Sequence, residues 1–375
     1  MSLPLSKKNW LEKFRRVTSS TQYLPEVDGL RFLAIFMVAI WMHTTHFIDE
    51  KFFSNGLITD AYWSNFIMEG GYGVSIFFMI SGFILSLPFA KAHFNKNPDK
   101  KSISLKRYYL RRLIRLEPPY LIALIIFFIG NVWVLHKYSF DELLPHFFAS
   151  AFYLHNTVYD SFSYVLPIAW SLEVEVQFYL LAPLLCCIYL VRSKYLRWAI
   201  FIAAIIASGI YNYQFIMGTV VKFFCCFGIG MLVTDLYCNK EKFIKSPAWC
   251  FIIGIMSLFI IVFVPTLTSI VGYWLKFFVT TIFFYTVLTN ERMKRIFSNK
   301  YLTIIGGMCY SIYLLHFGIL SALGKLLQKT DGNLSNTAYL PLYFILFAFC
   351  ILIISSIYFL LVEKPFMRLR PKNAN

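Results

Sequence analysis

Apolar residues in this chain gather in long runs at about residues 30–47, 71–90, 116–135, 168–191, 197–211, 214–235, 249–265, 270–289, 302–323 and 338–362. Each run is near the ~17–25 residues that a helix needs to cross a bilayer. The pattern predicts an all-α protein, a polytopic membrane bundle of about ten helices, in which the fifth run, 197–211, is the shortest. The connections between runs alternate in charge. Lys7, Lys8, Lys13, Arg15 and Arg16 precede the first run, and Lys91, Lys96, Lys100, Lys101, Lys106, Arg107, Arg111 and Arg112 follow the second. Later basic clusters, from Arg192 to Arg197, Lys240 to Lys245, Arg292 to Lys300 and Arg368 to Lys372, fall on that same side. The other connections are neutral or acidic, with Asp49, Glu50, Asp60 and Glu69, or Asp141, Glu142 and Asp160. The positive-inside bias places both termini in the cytoplasm.

This division gives a basic amino-terminal segment at 1–23, a ten-span membrane domain at 24–366 and a cytoplasmic tail at 367–375. The connections at about 48–70 and 136–167 are too short for a further soluble domain of ~50–250 residues. The second is rich in aromatic and histidine residues, among them His136, His146, Tyr153, His155 and Tyr159. It is expected to lie as a short amphipathic piece in the interface over the outer mouth, although belt anchoring alone accounts for the rings.

Composition narrows the class. The hydrophobic share is 58%, well above the ~45–50% of soluble domains. The net charge of +16 would suggest nucleic acid in a soluble protein, but here the cations lie between apolar runs and topology explains them. A nucleic-acid partner is therefore not expected. Seven of the eight cysteines lie inside apolar runs without CxxC spacing, which reads as packing residues and not as metal ligands or disulfides. Residues 1–29 hold no apolar core of a cleavable signal, so the first span is expected to direct insertion. No internal repeat, Gly-rich nucleotide loop or HExxH motif is present. Asn333-Leu-Ser335 fits a glycosylation sequon, a weak signal.

Ionisable residues inside the runs carry the candidate chemistry. In Asp28–His46, DGLRFLAIFMVAIWMHTTH, His43 follows Arg31 by twelve residues, roughly 18 Å along a helix. Ionisable groups at such depth are rare and mark function by default, while an interfacial histidine satisfied near the helix end fits this stretch equally well. Before the third run, Arg107, Arg111 and Arg115 recur at helical spacing with Arg112 beside them. Guanidinium forks suit phosphate oxygens, and a basic juxtamembrane stripe also suits anionic lipid. Pro118-Pro119 is expected to end or kink that helix. Glu173 and Glu175 enter the fourth run two residues apart, so they point to nearly opposite faces and do not form a dyad. His316 lies about ten residues into the ninth run.

The segments LPEVDGLRFLAIF…H, GGYGVSIFFMISGFIL, RRLIRLEPPYL, WSLEVEVQFYLLAPLL, CYSIYLLHF and VEKPF, in this order over nearly the whole chain, resemble the integral-membrane family often called acyltransferase 3. The resemblance implies an O-acyltransferase of a bacterial inner membrane. Such enzymes move an acyl group, commonly acetyl or succinyl, from cytoplasmic acyl-CoA to a hydroxyl of an extracytoplasmic saccharide or glycolipid, with no metal. It also implies roles for particular residues. His43 matches the catalytic base, and Arg31 the arginine of the same motif, on the donor side. Arg112 and Arg115 match the Arg-x-x-Arg pair linked to the acyl-CoA phosphates. Glu175 matches the first Glu of the family's fourth-span run, a catalytic carboxylate expected to orient the imidazole or bind the sugar, with Val176 in place of the second and Glu173 where Ser is usual. Ser75 replaces a common acidic residue. Asp28, His46, Glu173 and His316 are candidate substrate or supporting residues.

One departure is informative. The family usually has ten residues between the Arg and the His, and here there are eleven. On a regular helix His43 would sit ~120° round from Arg31 instead of ~20°. A π-bulge would restore the alignment; otherwise His46 would take the base's place. A glycan transporter using His and Glu as proton relays is the competing expectation. The acyl group, the acceptor and the oligomeric state are not fixed by the sequence.

Overall fold

The computed structural model describes residues 10–17, 23–52, 61–94, 103–214, 219–264, 270–328 and 340–369. The Asn333–Ser335 sequon lies outside them. Among the described residues nine helices are long and apolar enough to cross a membrane: α1 (Pro25–Lys51), α2 (Ser64–Phe94), α3 (Leu105–Val134), α4 (Pro167–Leu190), α5 (Lys194–Tyr211), α6 (Val220–Cys238), α8 (Val271–Thr289), α9 (Cys309–Leu327) and α10 (Leu340–Arg368). The apolar helix α7 (Pro247–Phe263) lies between α6 and α8 and has 17 residues, enough for roughly 25 Å. The expected ten runs are all helices, and α7, not the fifth, is the shortest. Lys194–Gln214 extends the fifth at both ends because Lys194, Tyr195 and Leu196 continue its helix through polar residues.

The bundle is inverted relative to a soluble protein. α6 is its most buried helix, whereas α5 and α10 present most of their surface outward, with Ile202, Ile206, Ile345 and Ile353 exposed. Lipid is the natural cover for such a rim, because spanning helices satisfy their own backbone groups and lose nothing by facing hydrocarbon. Helices α2 and α6 cross closely at Gly82 and Gly230. A Cβ on Gly82 would strike the carbonyl of Phe227, and one on Gly230 that of Met79. Small residues at such crossings are how helices approach without a hydrophobic drive between them.

Three local features position the site. First, α1 is α-helical over Pro25–Ile35, π-helical over Phe36–His43 and α-helical again over Thr44–Phe52. Second, α3 continues through Pro118 and Pro119 where an end or kink was expected. Here the Tyr310 hydroxyl donates to the Leu116 carbonyl, 2.9 Å, and the Tyr358 hydroxyl to that of Pro119, so neighbouring helices hold the proline-weakened stretch. Third, the aromatic connection folds as an amphipathic helix, Phe140–Ala151, and a short one, His155–Tyr159. This connection dips into the bundle instead of lying flat. Tyr153, in the left-handed region at φ 58°, donates its hydroxyl to Glu117 of α3 at 2.7 Å, and the Tyr120 hydroxyl donates to the Ser150 carbonyl.

The amino-terminal residues also pack on the bundle. Leu11, Phe14 and Val17 lie against Ile304, Met308, Phe359 and Met367, and the Lys364 ammonium donates to the Lys13 carbonyl.

Candidate active site

A cavity of roughly 90 Å³ lies between α1, α2, α3, α4 and α9. Along α2 it is lined from Val74 to Leu85, roughly 16 Å for eleven residues. Arg31, Arg112 and Arg115 stand at one end, Ser81, Glu175 and Tyr179 in the middle, and Ser171 and Tyr313 toward the other.

At the arginine end the expected stripe divides. Arg107 is exposed, while Arg112 and Arg115 turn into the cavity, because positions 112, 115 and 116 share the helix face that carries Tyr108 inward. The Arg112 guanidinium lies 5.9 and 5.8 Å from the ring centres of Tyr108 and Tyr179. Asp28 pairs with Arg31, with Arg16 at 3.2 Å, and accepts from the Tyr23 hydroxyl at 2.9 Å. Among the described ion pairs neither Arg112 nor Arg115 has a carboxylate within 4 Å, and the Arg115 Nε–H is buried without an acceptor. Cations left so exposed to one another in an apolar bundle need an anion.

The two fourth-span carboxylates separate as their spacing requires. Glu175 faces the cavity and accepts from the hydroxyls of Ser81 and Tyr179. Glu173 faces the aromatic connection, where one carboxylate oxygen accepts from the Asn156 backbone N–H at 2.8 Å. It holds the start of the short helix His155–Tyr159 and does not line the cavity.

At the far end His43 Nδ1 and His316 Nε2 are 2.8 Å apart. His316 belongs to α9, three residues beyond Tyr313 of the cavity wall, and is fully buried. The extra residue between Arg31 and His43 falls where the π-helical stretch absorbs it, so both side chains meet α9. His46 is exposed. The partner on the His43 ring is His316; Glu175 holds Ser81 and Tyr179 instead.

The bonding order fixes the tautomers. His316 Nδ1 faces two backbone carbonyls, Ile312 at 3.0 Å and Tyr313 at 2.8 Å. A ring nitrogen beside two acceptors carries the proton, so in a neutral pair His316 Nε2 is an acceptor. His43 Nδ1–H must then donate to it. The lone pair of His43 Nε2 is thereby left free.

Sequence reasoning did not pick out Ser81, Tyr179, Tyr313, Glu117 or Arg16. Tyr179 carried a signal, being four residues after Glu175 and so on the same helical face. Arg16 lay in a polar segment with no run to attach it to. Among the described residues no group of three or more His, Cys, Asp or Glu side chains could hold a metal.

The sequence matches a family model described as "Acyltransferase domain" over residues 24–359. It is 27% identical over 357 residues to the peptidoglycan O-acetyltransferase OatA of Listeria monocytogenes, covering 85% of this chain and 53% of that protein. It is 26% identical over 336 residues to the O-acetyltransferase OatA of Staphylococcus aureus, covering 80% and 51%. The chain thus spans about half the length of these two curated relatives. No solved structure matches.

Proposed function

The chain belongs to this acyltransferase family, and from that premise we propose that it is a membrane O-acyltransferase taking an acyl group, acetyl first, from cytoplasmic acyl-CoA to a saccharide hydroxyl beyond the membrane. What carries the reading is one cavity that joins two guanidiniums lacking carboxylate partners to a wall ending beside a histidine with a free ring nitrogen. The residues fit the donor. Its phosphates match Arg112 and Arg115, and its extended thioester arm matches a channel long in one direction and mostly apolar, lined by Phe77, Phe78, Ile80 and Ile84.

The chemistry assigned to this chain is general base catalysis. His43 Nε2 takes the proton of the acceptor hydroxyl. The oxygen adds to the thioester carbonyl, forming the new C–O bond, and collapse of the tetrahedral oxyanion restores the carbonyl as the C–S bond breaks. The proton on His43 then passes to the departing thiolate. His316 holds the imidazole in the tautomer that keeps Nε2 basic and shares the positive charge that develops there. Glu175 acts on the channel, fixing Ser81 and Tyr179 beside Arg112. The Listeria relative is named for peptidoglycan, which makes a peptidoglycan hydroxyl the first acceptor to test.

Purified protein in detergent, given acetyl-CoA and soluble peptidoglycan fragments, is expected to release free CoA only when both are present and to yield an acetylated glycan. Movement of glycan across reconstituted vesicles with no thioester consumed would overturn the enzyme reading in favour of a transporter.

A further inference from the structure

Arg16 lies before the residues matched by the family model, on a segment held to the bundle by three apolar side chains, Leu11, Phe14 and Val17. These recur every three residues, as one face of a tight helical turn does. They set the segment against Met308 and Phe359 and bring the Arg16 backbone over Gly307, where a Cβ would meet Arg16 Cβ at 3.3 Å. From there the side chain turns inward to Asp28 at 3.2 Å, on the carboxylate oxygen that Arg31 also uses. Its Nε–H is buried with no acceptor, as is that of Arg115.

Arg31, Arg112 and Arg115 line one end of the cavity, Arg16 stands next to them on the Asp28 carboxylate that Arg31 also uses, and Asp28 is the single carboxylate paired with any of the four among the described ion pairs. Burial pulls the Arg16 guanidinium down to about 10, Asp28 opposes this, and Arg31 and Arg115 add to the fall. It stays charged at neutral pH, beside other cations. An anion of several charges resolves this surplus, and coenzyme A carries a diphosphate and a separate ribose phosphate. The pair Arg112 and Arg115, one turn apart on a single helix, addresses one such group.

We propose that Arg16, delivered by the docked amino-terminal segment, is a phosphate-binding residue for the acyl donor, contributing a second arginine face to the site formed by Arg112 and Arg115. This rests on the acyl-CoA reading above. It assigns a binding role to residues outside the matched domain and makes the segment part of the donor site.

The test compares two donors in the full-length protein: acetyl-CoA, and S-acetyl-pantetheine, which has the same thioester arm without phosphates. Arg16→Ala is expected to lower kcat/KM for acetyl-CoA by roughly tenfold, the loss of one charge-assisted contact, and to leave S-acetyl-pantetheine unchanged. Asp28 keeps Arg31 and Tyr23 in this variant, so the fold is retained. Leu11→Ser with Phe14→Ser, which undocks the segment, should give the same donor-specific loss, and adding Arg16→Ala should deepen it no further. Equal losses for both donors, or none, would overturn the role of Arg16. If Arg112→Ala lowers the acetyl-CoA preference in the same assay while Arg16→Ala does not, this inference alone fails. If neither changes it, the donor reading fails as well.

Discussion

Two histidine pairs in this molecule have nearly the same geometry. His43 Nδ1 and His316 Nε2 are 2.8 Å apart with ring centres at 5.0 Å. His146 Nδ1 and His155 Nε2 are 2.9 Å apart, also with centres at 5.0 Å. In each, the second ring turns Nδ1 to a backbone carbonyl, that of Tyr313 or of Ser161. The same tautomer logic applies to both, so the pair alone does not make a site. The difference lies in the surroundings. His316 stands three residues past the wall of a cavity whose other end holds Arg31, Arg112 and Arg115, whereas His146 and His155 lie among the rings of Tyr159 and Tyr164 in the aromatic connection.

The sharpest way to break this comparison is to remove one base from each pair. His43→Ala is expected to cut acetyl transfer by ~10²–10⁴-fold, the usual worth of a general base, with acetyl-CoA affinity retained. His146→Ala should leave the rate within about twofold, since it touches no cavity residue. Comparable losses in both, read as acetylated glycan per time, would erase the distinction. Next in size is the supporting ring. His316→Ala should lower kcat more than KM and shift the pH–rate profile, because His43 loses the acceptor that fixes its tautomer. His316→Gln, which keeps an acceptor oxygen, should recover part of the rate, and identical profiles in the two variants would reduce His316 to packing.

The arginines sharpen what the surroundings contribute. Arg112→Ala and Arg115→Ala should each weaken acetyl-CoA binding by roughly 10–100-fold, equivalent to ~1.5–3 kcal/mol per charge-assisted contact, with the fold intact by thermal unfolding. Unchanged affinity would leave them as lipid anchors. Glu173→Gln tests the carboxylate on the far face of α4. It should cost about 1–3 kcal/mol of stability through the Asn156 contact and lower the melting temperature, with KM for acetyl-CoA unaltered.

The smallest effect is one of pH. Burial depresses both His146 and His155; the Glu142 carboxylate opposes the shift at His146, and the Ser161 carbonyl opposes that at His155, where His146 adds to it. A depressed histidine favours the folded state above its unfolded pKa and loses that contribution as pH falls. The aromatic connection should therefore loosen below about pH 6.5, seen as faster hydrogen exchange at residues 155–165. Exchange independent of pH from 7.5 to 5.5 would remove the titration from this pair.

The sequence made some of this legible and hid the rest for physical reasons. The apolar runs yielded every long helix because crossing a bilayer demands an unbroken stretch. Glu175 stood out because charge inside such a stretch is costly, and Arg112 and Arg115 because a guanidinium stripe just before a span suits phosphate. The pairing of His43 with His316 was hidden, since 273 residues separate them and only packing brings α1 to α9. Pro118-Pro119 does not end the helix, because helix breaking in water does not carry over to a bundle where tyrosines of other helices reach the backbone. Glu173 was ambiguous until the aromatic connection, placed by Tyr153 and Tyr120, supplied its partner.

The widened turn at Phe36–His43 bears on how relatives of this chain are recognised. What α1 must preserve between Arg31 and His43 is angular phase, not a number of intervening positions. One added residue is absorbed in the wide turn while Arg31 still faces the cavity and His43 still meets His316. A search pattern requiring ten positions between the two residues would pass over this chain, as would any alignment that penalises a gap there as if it fell in rigid helix. Allowing a single-residue slip within that turn, and nowhere else in α1, is the rule the geometry supplies.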